Sequence, residues 1–326
     1  MDVNIFEKFR EEGLISEASV AKVKIANVKK LFSLHWELTT VLYLGVLLLT
    51  TGLGILVYKN IDTIGHQAIL AFIALICAGG FIYCFKNKAP YSTAKVESPT
   101  IVFDYILLLS CLSFVIFIGY LQYQYHVFGD RYGVATFLPM AVFFFCAYFF
   151  DHLGILSLAI TSLCAWAGIT VTPLEILKSN DFNNDTIILT ALILGVGLEI
   201  TSMLTRKKQL KSHFAFTYTN FGMHLLFIGA VAAMFQFEKI YPLWYLVLTA
   251  IAFYYYLEAF RRRSFYLLLV LTLYEYIGTS YIILRLLFYR SSVDTGDGYL
   301  ACFYFIGSAF ALILFLIKMN KKIKSA

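Results

Sequence analysis

The chain has 326 residues, 60% of them hydrophobic and only 14% charged, with a mean hydropathy of +0.77 and a formal net charge of +6. Soluble domains hold about 45–50% apolar and about 25% charged residues, so a water-soluble enzyme or binding domain is excluded and a chain immersed in a bilayer is expected. The six cysteines form no CxxC pair and no Cys/His cluster at metal-ligand spacing, so the sequence points to no disulfide framework, metal site or cofactor.

Residues 1–36 include "NIFEKFREEGLISEASVAKVKIANVKKLF". Ile5, Phe6 and Phe9 recur at helical spacing before Gly13, a left-handed helix stop, and Ser16 then reads as the N-cap of a second helix. Val20, Val23, Ile25, Val28 and Leu31 supply an apolar face opposite Lys22, Lys24, Lys29 and Lys30. A cytoplasmic amphipathic hairpin resting on the inner leaflet is expected. Its sharper use would be docking of a partner protein or self-association with a second copy. The segment lacks the apolar core and small-residue cleavage site of a secretory leader, so the first apolar run is expected to serve as the insertion signal.

Ten apolar runs follow, at about 38–58, 67–85, 101–121, 134–150, 153–171, 186–204, 215–235, 241–260, 264–288 and 299–317. A helix of about 20 residues crosses a hydrocarbon core about 30 Å thick, and continuous rather than alternating runs point to helices, not to an outer-membrane barrel. Only Asp151 and His152 separate the fourth run from the fifth. Basic residues test that boundary, because cytoplasmic loops collect Lys and Arg. With ten spans and both ends inside, only Lys59, Arg131, Lys178, Lys239 and Arg290 of the 26 Lys and Arg fall in outer loops, and Arg285 lies within a span. If residues 134–171 crossed once, the bias would vanish. The positive charge therefore reflects topology and anionic lipid, with no call for a nucleic-acid partner.

The "EEGLISEASV" hairpin, the glycine-spaced first span "VLYLGVLLLTTGLGILVYKN" and the Phe- and Tyr-rich body behind them resemble the bacterial predicted membrane protein family known as domain of unknown function 2157 (DUF2157), chiefly over the first 130 or so residues. The resemblance implies a bacterial inner-membrane location. It brings no activity and no catalytic residues.

Ionisable groups within spans are the remaining clue, since each is unfavourable by about 2.5–3.5 kcal/mol at a helix centre on insertion scales. Asp104 and Glu258 lie near span ends, where solvation or pairing with neighbouring Arg accounts for them. Glu199 is intermediate, on a helix whose Gly195 and Gly197 would let a neighbour approach. Glu275 and His224 fall near mid-span, with Asn220 one turn from His224 on the same face. Arg285 is about 15 Å up the helix from Glu275, too far to pair, and can reach toward the outer headgroups. A protonatable Glu275 near His224 and the hydroxyls of Tyr274, Tyr276 and Tyr281 suits a proton-coupled carrier; a protonated Glu275 bonded across a helix contact would equally hold the bundle together. An aromatic-lined lipid or quinone cleft is a further use for the many Phe and Tyr, although lipid-facing bulk explains them too. HExxH, GxSxG, paired midplane Asp and Gly-rich phosphate loops are all absent, so no enzyme is expected.

The expectation is an all-α polytopic bundle of about ten spans. Residues 1–36 form the hairpin, 37–320 the membrane domain and 321–326 a basic tail. The function expected is permease-like transport of a small solute or lipid, with Glu275, His224, Asn220 and Glu199 as the intramembrane polar site; the alternative is a membrane scaffold or sensor working through residues 1–36.

Overall fold

A computed structural model of the protein describes residues 34–171, 185–288 and 295–325, together with a few positions between 9 and 19. Ten helices stand where the ten apolar runs lie: α1 Leu34–Ile64, α2 His66–Asn87, α3 Ile101–Tyr125, α4 Tyr132–Phe150, α5 Leu153–Val171, α6 Asp185–Lys207, α7 Phe214–Gln236, α8 Tyr241–Arg261, α9 Phe265–Leu287 and α10 Thr295–Ser325. No strand occurs among the described residues. Among the described residues eight helices are long and apolar enough to cross a bilayer, and the apolar stretches of α1 and α5 are shorter, Thr40–Leu56 and Leu153–Gly168. The basic tail is helical through Ser325 as a continuation of α10. Near the N-terminus, Ser16 Oγ accepts from the Ser19 amide, as an N-cap does. The rest of the expected hairpin lies outside the described residues.

Local chemistry sets the helix ends. Thr100, behind Pro99, caps α3 by accepting from the Phe103 amide at 3.1 Å, and Ser264 caps α9 through the Leu267 amide at 3.4 Å. The helix α4 stops at Asp151, which takes the left-handed conformation at φ 60°. A two-residue turn then starts α5.

Successive helices pack as hairpins: α2 with α3, α4 with α5, α6 with α7 and α8 with α9, while α1 leans on α2 and α3 and α10 on α9. Two cores result. The first joins α2 to α6 around Phe103, Leu107, Phe143, Phe150, Ile155 and Ile160, and the second joins α8, α9 and α10 around Leu248, Tyr255, Leu267 and Met319. The helix α7 belongs to both, giving Phe214 and Tyr218 to the first and Met223, Phe227, Ala230 and Met234 to the second.

Lipid tails are as apolar as these side chains, so helices in a bilayer associate through close packing and polar contacts. The α6/α7 crossing shows both. A Cβ at Gly195 would lie 3.1 Å from the Gly222 carbonyl, and one at Gly229 would lie 2.9 Å from Leu192. Toward the end of the same contact, Ser202 Oγ donates to the Ala215 carbonyl at 2.8 Å and meets Thr219 Oγ1 at 2.7 Å. Gly195 thus does what its sequence context suggests, whereas Gly197 faces open space.

Candidate functional site

Three clusters of polar groups stand out in the membrane domain. The first runs from the middle of α7 and α9 to the start of α9. His224 Nδ1 is 3.0 Å from the Tyr274 hydroxyl and His224 Nε2 is 3.2 Å from the Tyr266 hydroxyl, which itself donates to Asn220 Oδ1 at 2.7 Å. That last bond fixes the chain of donors. With its proton committed to Asn220, Tyr266 accepts from His224 Nε2–H, and in the neutral tautomer that this leaves, Nδ1 would accept from Tyr274. Tyr274 is held flat against Phe227, ring centroids 4.9 Å apart and 5° from parallel.

Glu275 is at the same depth but faces a different helix. Its Oε1 accepts from Thr249 Oγ1 on α8 at 2.9 Å, the Tyr245 hydroxyl of the same helix also stands near the carboxyl, and Oε2 is buried with no hydrogen bond of good geometry among the described residues. Thr249 itself is exposed, so this bond lies at the lipid-facing edge of the α8/α9 pair. The structure therefore brings His224 and Asn220 together and keeps Glu275 apart from them, on a separate face of α9.

Glu199 joins a second cluster, nearer the end of the bundle that carries most of the Lys and Arg. It accepts from the hydroxyls of Tyr254 at 3.1 Å and Tyr255 at 3.2 Å, with Arg206 Nη2 3.9 Å away. Glu258, also buried, accepts from three arginines: Arg262 Nε at 2.6 Å, Arg261 Nη1 at 3.1 Å and Arg206 Nη1 at 3.3 Å. Pairing with neighbouring arginines is what the sequence suggests for Glu258. At the opposite end Arg285 donates to Glu238 at 2.8 Å and to the Tyr281 hydroxyl, with its guanidinium 4.8 Å from the Tyr241 ring centre. The arginine anchor is thus an ion pair resting on aromatic rings.

The third cluster is not legible in the sequence, where Asp151 and His152 read only as a turn. Asp151 and Lys211 form an ion pair at 3.0 Å with each side chain 1% exposed. His213 Nε2 lies 2.6 Å from Asp151 Oδ1, the Val96 amide donates to Asp151 Oδ2, and Lys211 Nζ donates to the Ala94 carbonyl at 3.3 Å. The Lys211 amide donates to Thr93 O at 2.8 Å. One carboxylate and one ammonium therefore pin the 88–100 loop to the α4/α5 and α6/α7 turns. The contact also places all three connections on one face of the bundle, with α4 and α5 packed against each other as a hairpin on either side of the Asp151 turn.

Beside this latch, His152 is the N-cap of α5. Its Nδ1 accepts from the Ile155 amide at 3.2 Å, leaving Nε2–H to face Tyr43 at 3.3 Å and Asp104 at 3.7 Å. With Nδ1 occupied by the helix, the ring is not free to act as a base toward a nucleophile. Burial pushes the His152 imidazole below its ordinary value, against the opposing pull of Asp104. The unfolded chain binds a proton near pH 6.5 and the folded chain binds it only at lower pH. The contribution of the neutral cap to stability is therefore full above about pH 6.5 and is lost as pH falls toward the depressed folded value. Thermal midpoints of detergent-solubilised wild type and His152→Asn, taken from about pH 8 to about pH 5, should diverge, the wild type falling more steeply because Asn caps without titrating. Parallel profiles would remove His152 from the acid response.

A cleft of about 280 Å³ opens between α1, α2 and α3, lined by Leu53, Phe72, Ile73 and Ile116 with the hydroxyls of Thr50, Ser113 and Tyr120. Its walls are apolar, and it lies among other helices than Glu275. Among the described residues no group of three or more His, Cys, Asp or Glu could hold a metal ion.

Residues 7–156 match the sequence profile of the predicted membrane protein family DUF2157. The match spans the N-terminal segment, α1 to α4 and the start of α5, and includes Asp151 and His152. Neither curated proteins nor solved structures give a match to the chain.

Proposed function

We propose that the protein is a permease-like carrier of a small solute or lipid in the bacterial inner membrane, with both ends in the cytoplasm and Glu275 as its proton-binding group. The observation that carries this reading is Glu275 Oε2: a buried carboxylate oxygen, at mid-helix, with no hydrogen bond of good geometry among the described residues. A carboxylate left in that position is strongly disfavoured in hydrocarbon, and a proton on Oε2 removes the charge while Thr249 holds the other oxygen. Taking up and releasing that proton requires water to reach α9 during part of the cycle. The chain that starts from Tyr274 and His224 at this depth and runs through Tyr266 to Asn220, toward the start of α9, offers a second polar station. The reading involves no bond-breaking chemistry.

The test is cysteine accessibility. Glu275→Cys, in a background where Cys77, Cys84, Cys111, Cys146, Cys164 and Cys302 are replaced, should react with a membrane-impermeant thiol reagent in intact membranes. Ile277→Cys, on the exposed apolar surface of the same helix, should not. A folded Glu275→Cys protein that stays unlabelled would make Glu275 a structural hydrogen-bonding group. The scaffold or sensor reading, acting through a protein partner or a second copy at residues 1–36, would then take precedence.

A further inference from the structure

The cluster at the basic end of α6 and α8 carries more donors and more positive charge than its own carboxylates can satisfy. A guanidinium has five N–H donors and a carboxylate about four acceptor sites. Glu258 already accepts from Arg206, Arg261 and Arg262, and Glu199 is engaged by two tyrosine hydroxyls. Three guanidiniums face two carboxylates, leaving one positive charge uncompensated. One donor shows the shortfall directly: Arg262 Nη2 is buried and has no hydrogen-bond partner among the described residues. A buried charged donor without an acceptor is unfavourable, and native structures rarely retain one. Arg261 remains largely open, its side chain 77% exposed, so an anion can approach from the outside of the cluster.

We propose that Arg206, Arg261 and Arg262 form a phosphate-binding site, with Arg262 Nη2 as its innermost donor. Planar guanidinium forks match phosphate oxygens in pairs, which ammonium groups do not. Glu258 keeps the three guanidiniums convergent in the absence of ligand. The site sits at the end of α8, at the level where an apolar span gives way to Arg-rich sequence and lipid phosphates lie. The phosphate can come from an anionic phospholipid headgroup or from a soluble phosphate. This assignment is independent of any role for Glu275.

The experiment uses the purified full-length protein in neutral detergent. Its thermal midpoint is followed with added phosphatidylglycerol, phosphatidylcholine or inorganic phosphate, and retained lipid is counted by native mass spectrometry. A rise with phosphatidylglycerol that phosphatidylcholine does not produce, reduced at least several-fold in apparent affinity by Arg262→Gln and Arg262→Lys and kept by Lys86→Gln, supports the lipid form of the site. The same pattern with inorganic phosphate supports the soluble form. Arg262→Lys retains a cation for Glu258, so its loss of binding separates phosphate recognition from folding. No rise with any phosphate, or a rise that both Arg262 variants retain in full, would mean the buried donor meets only water and would overturn the assignment.

Discussion

Asp151→Asn, with Lys211 left in place, is expected to destabilise the folded protein by about 3–5 kcal/mol, the range for breaking a buried ion pair from one side. The substitution is chosen to isolate charge. Asn tolerates the left-handed backbone at φ 60° and can still accept from the Val96 amide, so the turn and its hydrogen bond survive. What remains is an ammonium 1% exposed, with the Ala94 carbonyl at 3.3 Å and the Tyr91 ring centre at 5.2 Å as its nearest compensation. His213 loses its acceptor charge at the same time. Denaturant titration of the detergent-solubilised protein should show a markedly lower midpoint for Asp151→Asn. The double variant Asp151→Asn with Lys211→Met should recover much of the loss, since it buries no charge. Equal midpoints for wild type and Asp151→Asn would show that water enters the latch and that the pair is not the tie joining these three connections.

The second large effect is expected at Gly222. A Cβ there would lie 3.0 Å from the Gly195 carbonyl oxygen, 3.3 Å from the Glu199 amide nitrogen and 3.3 Å from Leu198 Cβ. Two of those three atoms belong to the α6 backbone and cannot rotate away. Gly222→Ala should therefore cost about 1–3 kcal/mol as the helices are pushed apart. Gly222→Leu should abolish the α6/α7 contact, releasing the Ser202 and Thr219 bond and moving Glu199 away from Tyr254 and Tyr255. Gly197→Leu is the matched control on the opposite face, where a Cβ meets nothing within 4 Å. Its unfolding midpoint should stay near that of the wild type. Comparable losses at the two glycines would refute the close approach.

The number and boundaries of the helices were legible because they depend on one-dimensional quantities, the length of apolar runs and the placement of Lys and Arg. Among the described residues eight of the ten expected spans, not all ten, are long and apolar enough to cross. Even the two-residue break at Asp151 and His152 is recoverable from the basic residues alone. The partners were not legible. Glu275 and His224 share a depth, and depth follows from counting residues, but the faces they present depend on how α7, α8 and α9 rotate about their axes. Neighbouring Tyr274 and Glu275 point about 100° apart on a helix, so one reaches α7 and the other α8. Asp151, Lys211 and His213 were hidden for a different reason. A charged residue in a short turn ordinarily meets water, and only the return of the 88–100 loop over two distant turns buries Asp151 and Lys211 and half-buries His213.

The double membership of α7 bears on how the protein is made. Every helix that contributes to the first core precedes α8 in the chain, so that core can close while the C-terminal helices are still emerging from the ribosome. The half of α7 bearing Met223, Phe227 and Met234 then stands ready as a template, and α8, α9 and α10 dock on a surface already set rather than searching for one. Biogenesis can therefore run in a single direction along the message, with α7 as the last piece of one assembly and the foundation of the next.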